Sequence, residues 1–197
     1  CLDTGAMYRA VAWQALQNGV ALDDDAALGE IARTYDIEFG HVEGDPVPKR
    51  VFIGGAEVTD AIRTAEIDKA VSPTSAAPSV RDALVDQQRR IGNAGDYVVE
   101  GRDIGTVVFP NAEVKVFLTA SDEERAHRRV RQNVDRGIGS IDYDEVLADL
   151  RRRDEHDSNR ATSPLRPAED AVHLDSTGTY IEDVIDQICA LANEARA

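Results

Sequence analysis

Three short apolar runs constrain this chain more than any other feature: Tyr97-Val98-Val99-Glu100, Val114-Lys115-Val116-Phe117-Leu118 and the weaker Val172-His173-Leu174. Stretches of helical periodicity lie between and after them. Short, nearly continuous apolar strands alternating with helices point to an α/β protein whose parallel sheet is covered by helices on both faces. Ligands of such open sheets gather at the carboxyl ends of the strands. Here those ends carry chemistry-bearing residues. Leu2-Asp3 leads into Thr4-Gly5, Val99-Glu100 into Gly101-Arg102-Asp103, Leu118 into Thr119-Ala120-Ser121, and Leu174 into Asp175-Ser176-Thr177.

The local pattern predicts helices over Ala6–Gln17, with Thr4 as N-cap and Asn18-Gly19 as the stop, and over Asp25–Thr34. From Asp36 to Thr59 the character changes. Ile37-Glu38-Phe39, Arg50-Val51-Phe52-Ile53 and Glu57-Val58 read as short strands separated by Gly, Asp and Pro, which is the pattern of a small antiparallel lobe. Helical pattern returns from Ala65 and strengthens from Ser79 to Ile91, with Pro73 and Pro78 expected to break it. Further helices are expected over Ser121–Arg136, Tyr143–His156 and Ile181–Glu194, the last with Cys189 on an apolar, core-facing side.

A net charge of −15 over 197 residues argues against a nucleic-acid polymer as partner, because a phosphate backbone calls for a basic surface. The cationic residues are nonetheless distinctive. Of 22, 19 are Arg and 3 Lys, and ten of the Arg lie between Arg125 and Arg166. Guanidinium binds phosphate through two donors, so an Arg-rich region on an acidic body suits a small anion, while a salt-bridged helical surface explains the same composition. No apolar run approaches the ~20 residues that cross a bilayer. Cys1 and Cys189 are too few and too distant for a disulfide framework or metal cluster. A soluble chain with no membrane partner, located in the cytoplasm, is expected.

Gly101-Arg102-Asp103 follows a buried strand, where Gly permits close backbone approach to a ligand. Arg102 and Asp103 either pair to close a turn or serve that ligand. Arg153, Asp157 and Arg160 are spaced i, i+4, i+7 and would share one helical face. Their alternating signs fit a self-paired surface and equally fit two phosphate clamps around an acceptor for a sugar hydroxyl. Arg125, Arg128 and Arg129 form a second cationic face. No G-x-x-x-x-G-K-[ST] phosphate loop and no G-x-S-x-G elbow occurs, and the four His lack metal spacing.

These residues resemble the bacterial cytidylate kinases, members of the P-loop nucleoside monophosphate kinases. The matching stretches run from Leu2 to Arg9, Glu100 to Pro110, Lys115 to Ser121, Glu124 to Arg129 and Arg153 to Arg160, followed by Ser163-Pro164-Leu165. They keep family order nearly end to end. The resemblance implies a core of residues 1–30 and 66–197, an inserted monophosphate-binding lobe over 31–65, and a helical lid over 121–137. It implies that Thr4 and Arg9 receive the acceptor phosphate with Arg102 as a further ligand, that Ser72, Arg81 and Asp103 read cytosine, and that Asp157 contacts the ribose between Arg153 and Arg160. It places Arg125 and Arg128 at the ATP phosphates and gives Arg102, Arg128 and Arg160 catalytic roles. The implied reaction transfers the γ-phosphoryl group of ATP, with Mg²⁺, to CMP or dCMP, in a monomer.

The chain opens on Cys1, and its only Met is Met7 within a helix, so a natural start upstream is expected. In the family a phosphate loop ending in Lys-Ser/Thr precedes the Leu2-Asp3-Thr4-Gly5 motif. A chain that began at Cys1 would lack that loop, hold no metal ligand of its own and be expected inactive. Other readings are a kinase of another small acceptor, a non-catalytic pyrimidine-nucleotide-binding module, and an acidic interaction protein.

Overall fold

The computed structural model describes residues 1–45 and 47–196; residue 46, within the expected lobe, and residue 197 lie outside the described residues. The architecture is helix-rich α/β, with parallel strand pairs and one antiparallel sheet. The chain forms two compact units, Cys1–Arg102 with Arg160–Thr162, and Asp103–Asn159 with Ser163–Ala197.

In the first unit, strand β1 (Leu2–Asp3) passes directly into helix α1 (Thr4–Gln17), which is followed by α2 (Asp25–Thr34). Strands β2 (Ile37–Gly40), β3 (Arg50–Ile53) and β4 (Ala56–Glu57) then lead through a 3₁₀ turn at Ala61–Arg63 to α3 (Ala65–Ala76), α4 (Pro78–Gly92) and β5 (Val99–Glu100). Strands β1 and β5 pair in parallel, Leu2 opposite Val99 and Asp3 opposite Glu100. Strands β2, β3 and β4 form an antiparallel sheet in that order. Its β3–β4 hairpin turns on Gly54 and Gly55, both at positive φ, as a tight two-residue turn requires. Leu2, Met7, Val11, Leu28, Ile53, Ile62 and Leu84 are among the side chains that close the core.

The structure departs from the expectation at Thr4 and at Pro73. Asp3, not Thr4, caps α1: its carboxylate accepts from Ala6 N at 2.9 Å, and Thr4 is the first helical residue. A carboxylate suits the exposed N–H groups and positive end of a helix, and the Thr4 hydroxyl is engaged elsewhere. Pro73 does not break the helix but sits inside α3, beside the buried Ala70, Val71 and Thr74; packing outweighs the one backbone bond that its missing N–H forfeits. The break falls at Ala77, held extended before Pro78, and Pro78 opens α4 where no N–H is needed.

Helices α2 and α4 approach closely at Gly29 and Ser79. Asp25 accepts from the Ser79 amide at 2.9 Å and from its hydroxyl at 2.7 Å, so the start of α2 caps the start of α4. These bonds hold the Asp25 carboxyl below its ordinary pKa.

In the second unit, a short π-type turn at Ile104–Val108 precedes β6 (Val116–Thr119), α5 (Asp122–Arg136), α6 (Tyr143–Asn159), β7 (Val172–Asp175) and α7 (Ile181–Ala195). Strands β6 and β7 run parallel, from Val116 opposite Val172 to Thr119 opposite Asp175. Ser121 caps α5 by accepting from Glu124 N, and Gly137 ends it in the left-handed conformation. Cys189 is exposed, against the expectation of a core position, and no residue of α7 is buried. An apolar stripe marks the side a helix would bury; burial itself needs a facing element. No helix among the described residues is long and apolar enough to cross a membrane.

A Cβ at Gly29 would lie 2.4 Å from Ser79 Cβ and 3.2 Å from its backbone carbonyl carbon. Gly29→Ala is therefore expected to destabilise the fold by about 1–3 kcal/mol, despite alanine's better helix propensity. Urea unfolding checks this, and an unchanged or raised midpoint would contradict the close contact.

Candidate functional site

In the first unit the candidate residues are built on α1 and the helices packed against it. Because α1 starts at the carboxyl end of β1, its first turn lies where a parallel pair presents its ligand edge. Thr4 is buried there, and its hydroxyl donates to the Glu100 carbonyl of β5 at 2.7 Å. Asp3 and Glu100 are register partners, so two carboxylates stand side by side at the strand ends. Desolvation and then the Asp3 charge push the Glu100 carboxyl above its ordinary pKa, with Arg63 opposing them.

Arg9, one turn further along α1, donates to the Ile62 carbonyl at 3.0 Å and pairs with Asp68. Arg81, on α4, is buried; it donates to the Ser75 carbonyl at 3.0 Å, and its guanidinium lies 5.3 Å from the centre of the Tyr8 ring. The Ser75 hydroxyl in turn donates to the Ser72 carbonyl at 3.1 Å. Arg81 thus meets the backbone of the last turn of α3, the turn that also carries Ser72. Arg102 and Arg160 belong to this unit and are half-buried. Arg160 lies beyond the end of α6 and does not continue the helical face of Arg153 and Asp157 that its spacing predicts. The Asp157 carbonyl accepts from Leu165 N at 2.8 Å, which diverts it from the intrahelical bond a continued helix would make.

In the second unit, Asp103 and Asp157 are buried carboxylates. The Asp103 carbonyl accepts from Val107 N at 2.9 Å and opens the Ile104–Val108 turn. Arg153 approaches Asp157 one turn away, Nε to Oδ2 at 4.0 Å. The Arg128 guanidinium reaches the carboxyl edge of the β6–β7 pair, donating to the Ser176 carbonyl at 2.6 Å and hydroxyl at 3.0 Å, and pairs with Glu124 at 2.7 Å. Ser176 is itself buried and donates to the Thr119 carbonyl at 2.9 Å. Arg125 is bound differently, between Asp122 of α5 and Asp154 of α6. Arg151 completes that cluster with bonds to Asp122 at 2.8 Å and Glu123 at 2.9 Å.

Sequence reasoning missed Tyr8, Asp68 and Glu124 as partners of the candidate arginines. Glu124 stands four residues before Arg128 and was open to an i, i+4 reading. Asp68 carries no local signal toward Arg9, which is far from it along the chain.

A family model described as cytidylate kinase matches residues 1–194. A cytidylate kinase of Saccharophagus degradans is 48% identical over 191 residues, covering 97% of this chain and 84% of that protein. A cytidylate kinase of Bacillus subtilis is 46% identical over 187 residues, 95% of this chain and 82% of its own length. A bifunctional pantoate ligase/cytidylate kinase of Trichormus variabilis is 49% identical over 187 residues; the match spans 95% of this chain but 35% of that longer protein.

Hydrogen bonds from Arg151 and then Arg125 hold the Asp122 carboxyl below its ordinary pKa. A carboxylate with a depressed folded-state pKa stabilises above its unfolded value, and that contribution fades as pH falls through the folded one. Asp122→Asn is expected to lower the melting temperature at neutral pH, with the gap to the natural protein closing under acid. Melting curves across the carboxylate range test this; a gap independent of pH would contradict it.

Proposed function

The chain belongs to the cytidylate kinase family, and we propose that it transfers the γ-phosphoryl group of ATP to CMP and dCMP, giving CDP or dCDP and ADP. The observation that carries this reading is the arrangement around α1. A helix N-terminus with Thr4, the Arg9 guanidinium one turn on and the buried Arg81 bonded to the last turn of α3 would combine anion binding with hydrogen-bond reading of a base.

Cytosine offers acceptors at O2 and N3 and a donor amine at C4. Ser72 and Arg81 supply donors, and Asp103 supplies the acceptor. Uracil reverses the pattern at N3 and C4, so its carbonyl would confront a carboxylate, and sites built for hydrogen bonding reject such mispairing strongly. In this reading Thr4, Arg9 and Arg102 hold the acceptor phosphate, and Asp157 accepts from the ribose between Arg153 and Arg160. Residues 31–65 act as the monophosphate-binding lobe and 121–137 as the lid, whose Arg125 and Arg128 serve the ATP phosphates.

The attacking phosphate oxygen is already anionic, so the reaction needs no general base; positioning and charge neutralisation carry it, with Arg102, Arg128 and Arg160 supplying positive charge. Among the described residues no group of three or more His, Cys, Asp or Glu forms a cage for a metal. Mg²⁺ takes phosphate oxygens and waters readily, so in this reading it enters on ATP as part of the donor substrate. We read the enzyme as a cytoplasmic monomer.

The test is a coupled ADP-release assay on the full-length natural polypeptide with ATP-Mg²⁺ and CMP, dCMP, UMP or AMP. Turnover with CMP and dCMP and little with UMP is expected. A folded protein that turns over none of them would overturn the kinase reading. Asp103→Asn is expected to narrow the CMP-to-UMP ratio of kcat/KM by roughly 10–100-fold, the scale of a hydrogen bond to a charged group. An unchanged ratio would remove Asp103 from base recognition.

A further inference from the structure

We propose that Asp68 is a positioning residue for the acceptor phosphate, acting through Arg9. The inference rests on the reading above, in which Arg9 receives that phosphate, and adds a residue which the family motifs quoted above do not include.

The guanidinium is a rigid planar fork with five N–H donors, so two well-separated contacts fix its plane. The Ile62 carbonyl takes one terminal nitrogen of Arg9 and the Asp68 carboxylate takes the other. Three N–H groups of the fork are not spent on these two contacts. The Arg9 side chain is 13% exposed, so it is mostly enclosed but not sealed from solvent. An arginine aimed in this way presents its unspent donors to an anion without first losing rotamer freedom.

Both anchors come from one short segment. The 3₁₀ turn Ala61–Arg63 places the Ile62 carbonyl, and Thr64 caps α3 by accepting from Ile67 N at 3.4 Å. The Asp68 amide donates to the Thr64 carbonyl at 3.0 Å, which fixes the first turn of α3 and with it the Asp68 side chain. The segment from Ile62 to Asp68, packed against α1, therefore forms a bracket that grips the Arg9 side chain at two points. The Asp68 charge also offsets the cost of enclosing a cation, which a neutral bracket would leave standing.

A role in folding alone would affect every ligand alike, whereas aiming Arg9 affects only ligands that carry the phosphate. The experiment is calorimetric titration of the full-length natural polypeptide with CMP and, separately, with cytidine, for the natural protein and for Asp68→Ala, Asp68→Asn and Arg9→Ala. Asp68→Ala is expected to weaken CMP binding about tenfold while cytidine binding stays within about twofold. Asp68→Asn, which keeps an acceptor oxygen, is expected to lose less and guards against misfolding of the alanine variant. Three results would overturn the inference: CMP affinity unchanged in both Asp68 variants, CMP affinity raised, which would make Asp68 a competitor of the phosphate, or parallel loss of CMP and cytidine. If Arg9→Ala itself leaves CMP binding intact, the phosphate-receiving role of Arg9 fails first and the proposal falls with it.

Discussion

The hydrogen bond from the Thr4 hydroxyl to the Glu100 carbonyl fixes where the first helix begins. It joins the first residue of α1 to the end of the neighbouring strand, at the point where β1 and β5 place Asp3 beside Glu100. With its hydroxyl committed there, Thr4 leaves the capping role to Asp3, whose carboxylate takes the Ala6 amide. The start of α1 is thereby set against the sheet edge, and Tyr8 and Arg9 follow at fixed angles along the helix. Arg81 is placed by Tyr8 and Ser75, and Arg9 by Ile62 and Asp68, so the positions of both cations descend from that one junction.

Several arginines of this chain are engaged within the protein. Arg9, Arg125, Arg128 and Arg151 each hold a carboxylate, and Arg9 and Arg128 also hold backbone carbonyls. A rigid fork serves this purpose better than an ammonium, because one contact orients the donors left for another. The same property reconciles the two explanations for an arginine-rich region: pairing on the protein sets the direction in which the remaining donors point. The exposed pairs among them add little stability, so their consequence lies in geometry.

Much of the architecture was legible in the sequence, and the exceptions share a physical cause. Helix α2 spans Asp25–Thr34 as its pattern predicts, because local propensity and capping decide it. Strand β5 falls within its apolar run and β6 overlaps its own, running one residue past it to Thr119, while Tyr97 and Val98 precede β5. Thr4 and Asp3 are both good capping residues, and the choice between them was made by a carbonyl 96 positions away. Pro73 is a local breaker overruled by packing, Cys189 sits on a stripe whose burial depends on a facing element, and Arg160 leaves its helix because Leu165 takes the Asp157 carbonyl. Of the candidate site, the residue types and their places at strand ends were readable. Their individual roles came from resemblance, and partners such as Asp68 are settled only when the chain has folded.

The anchoring of Arg128 on Ser176 has a consequence for how an anion would recruit it. Its guanidinium already has the Ser176 carbonyl and hydroxyl and the Glu124 carboxylate. Recruitment would therefore be an exchange of partners, with nearly the same number of contacts before and after. Exchanges of this kind discriminate by the quality of the incoming acceptor: chloride offers a single point of contact, whereas a phosphate group matches the fork. The serine left behind still has the Thr119 carbonyl to hold it, so the strand end would keep its form while the arginine was away.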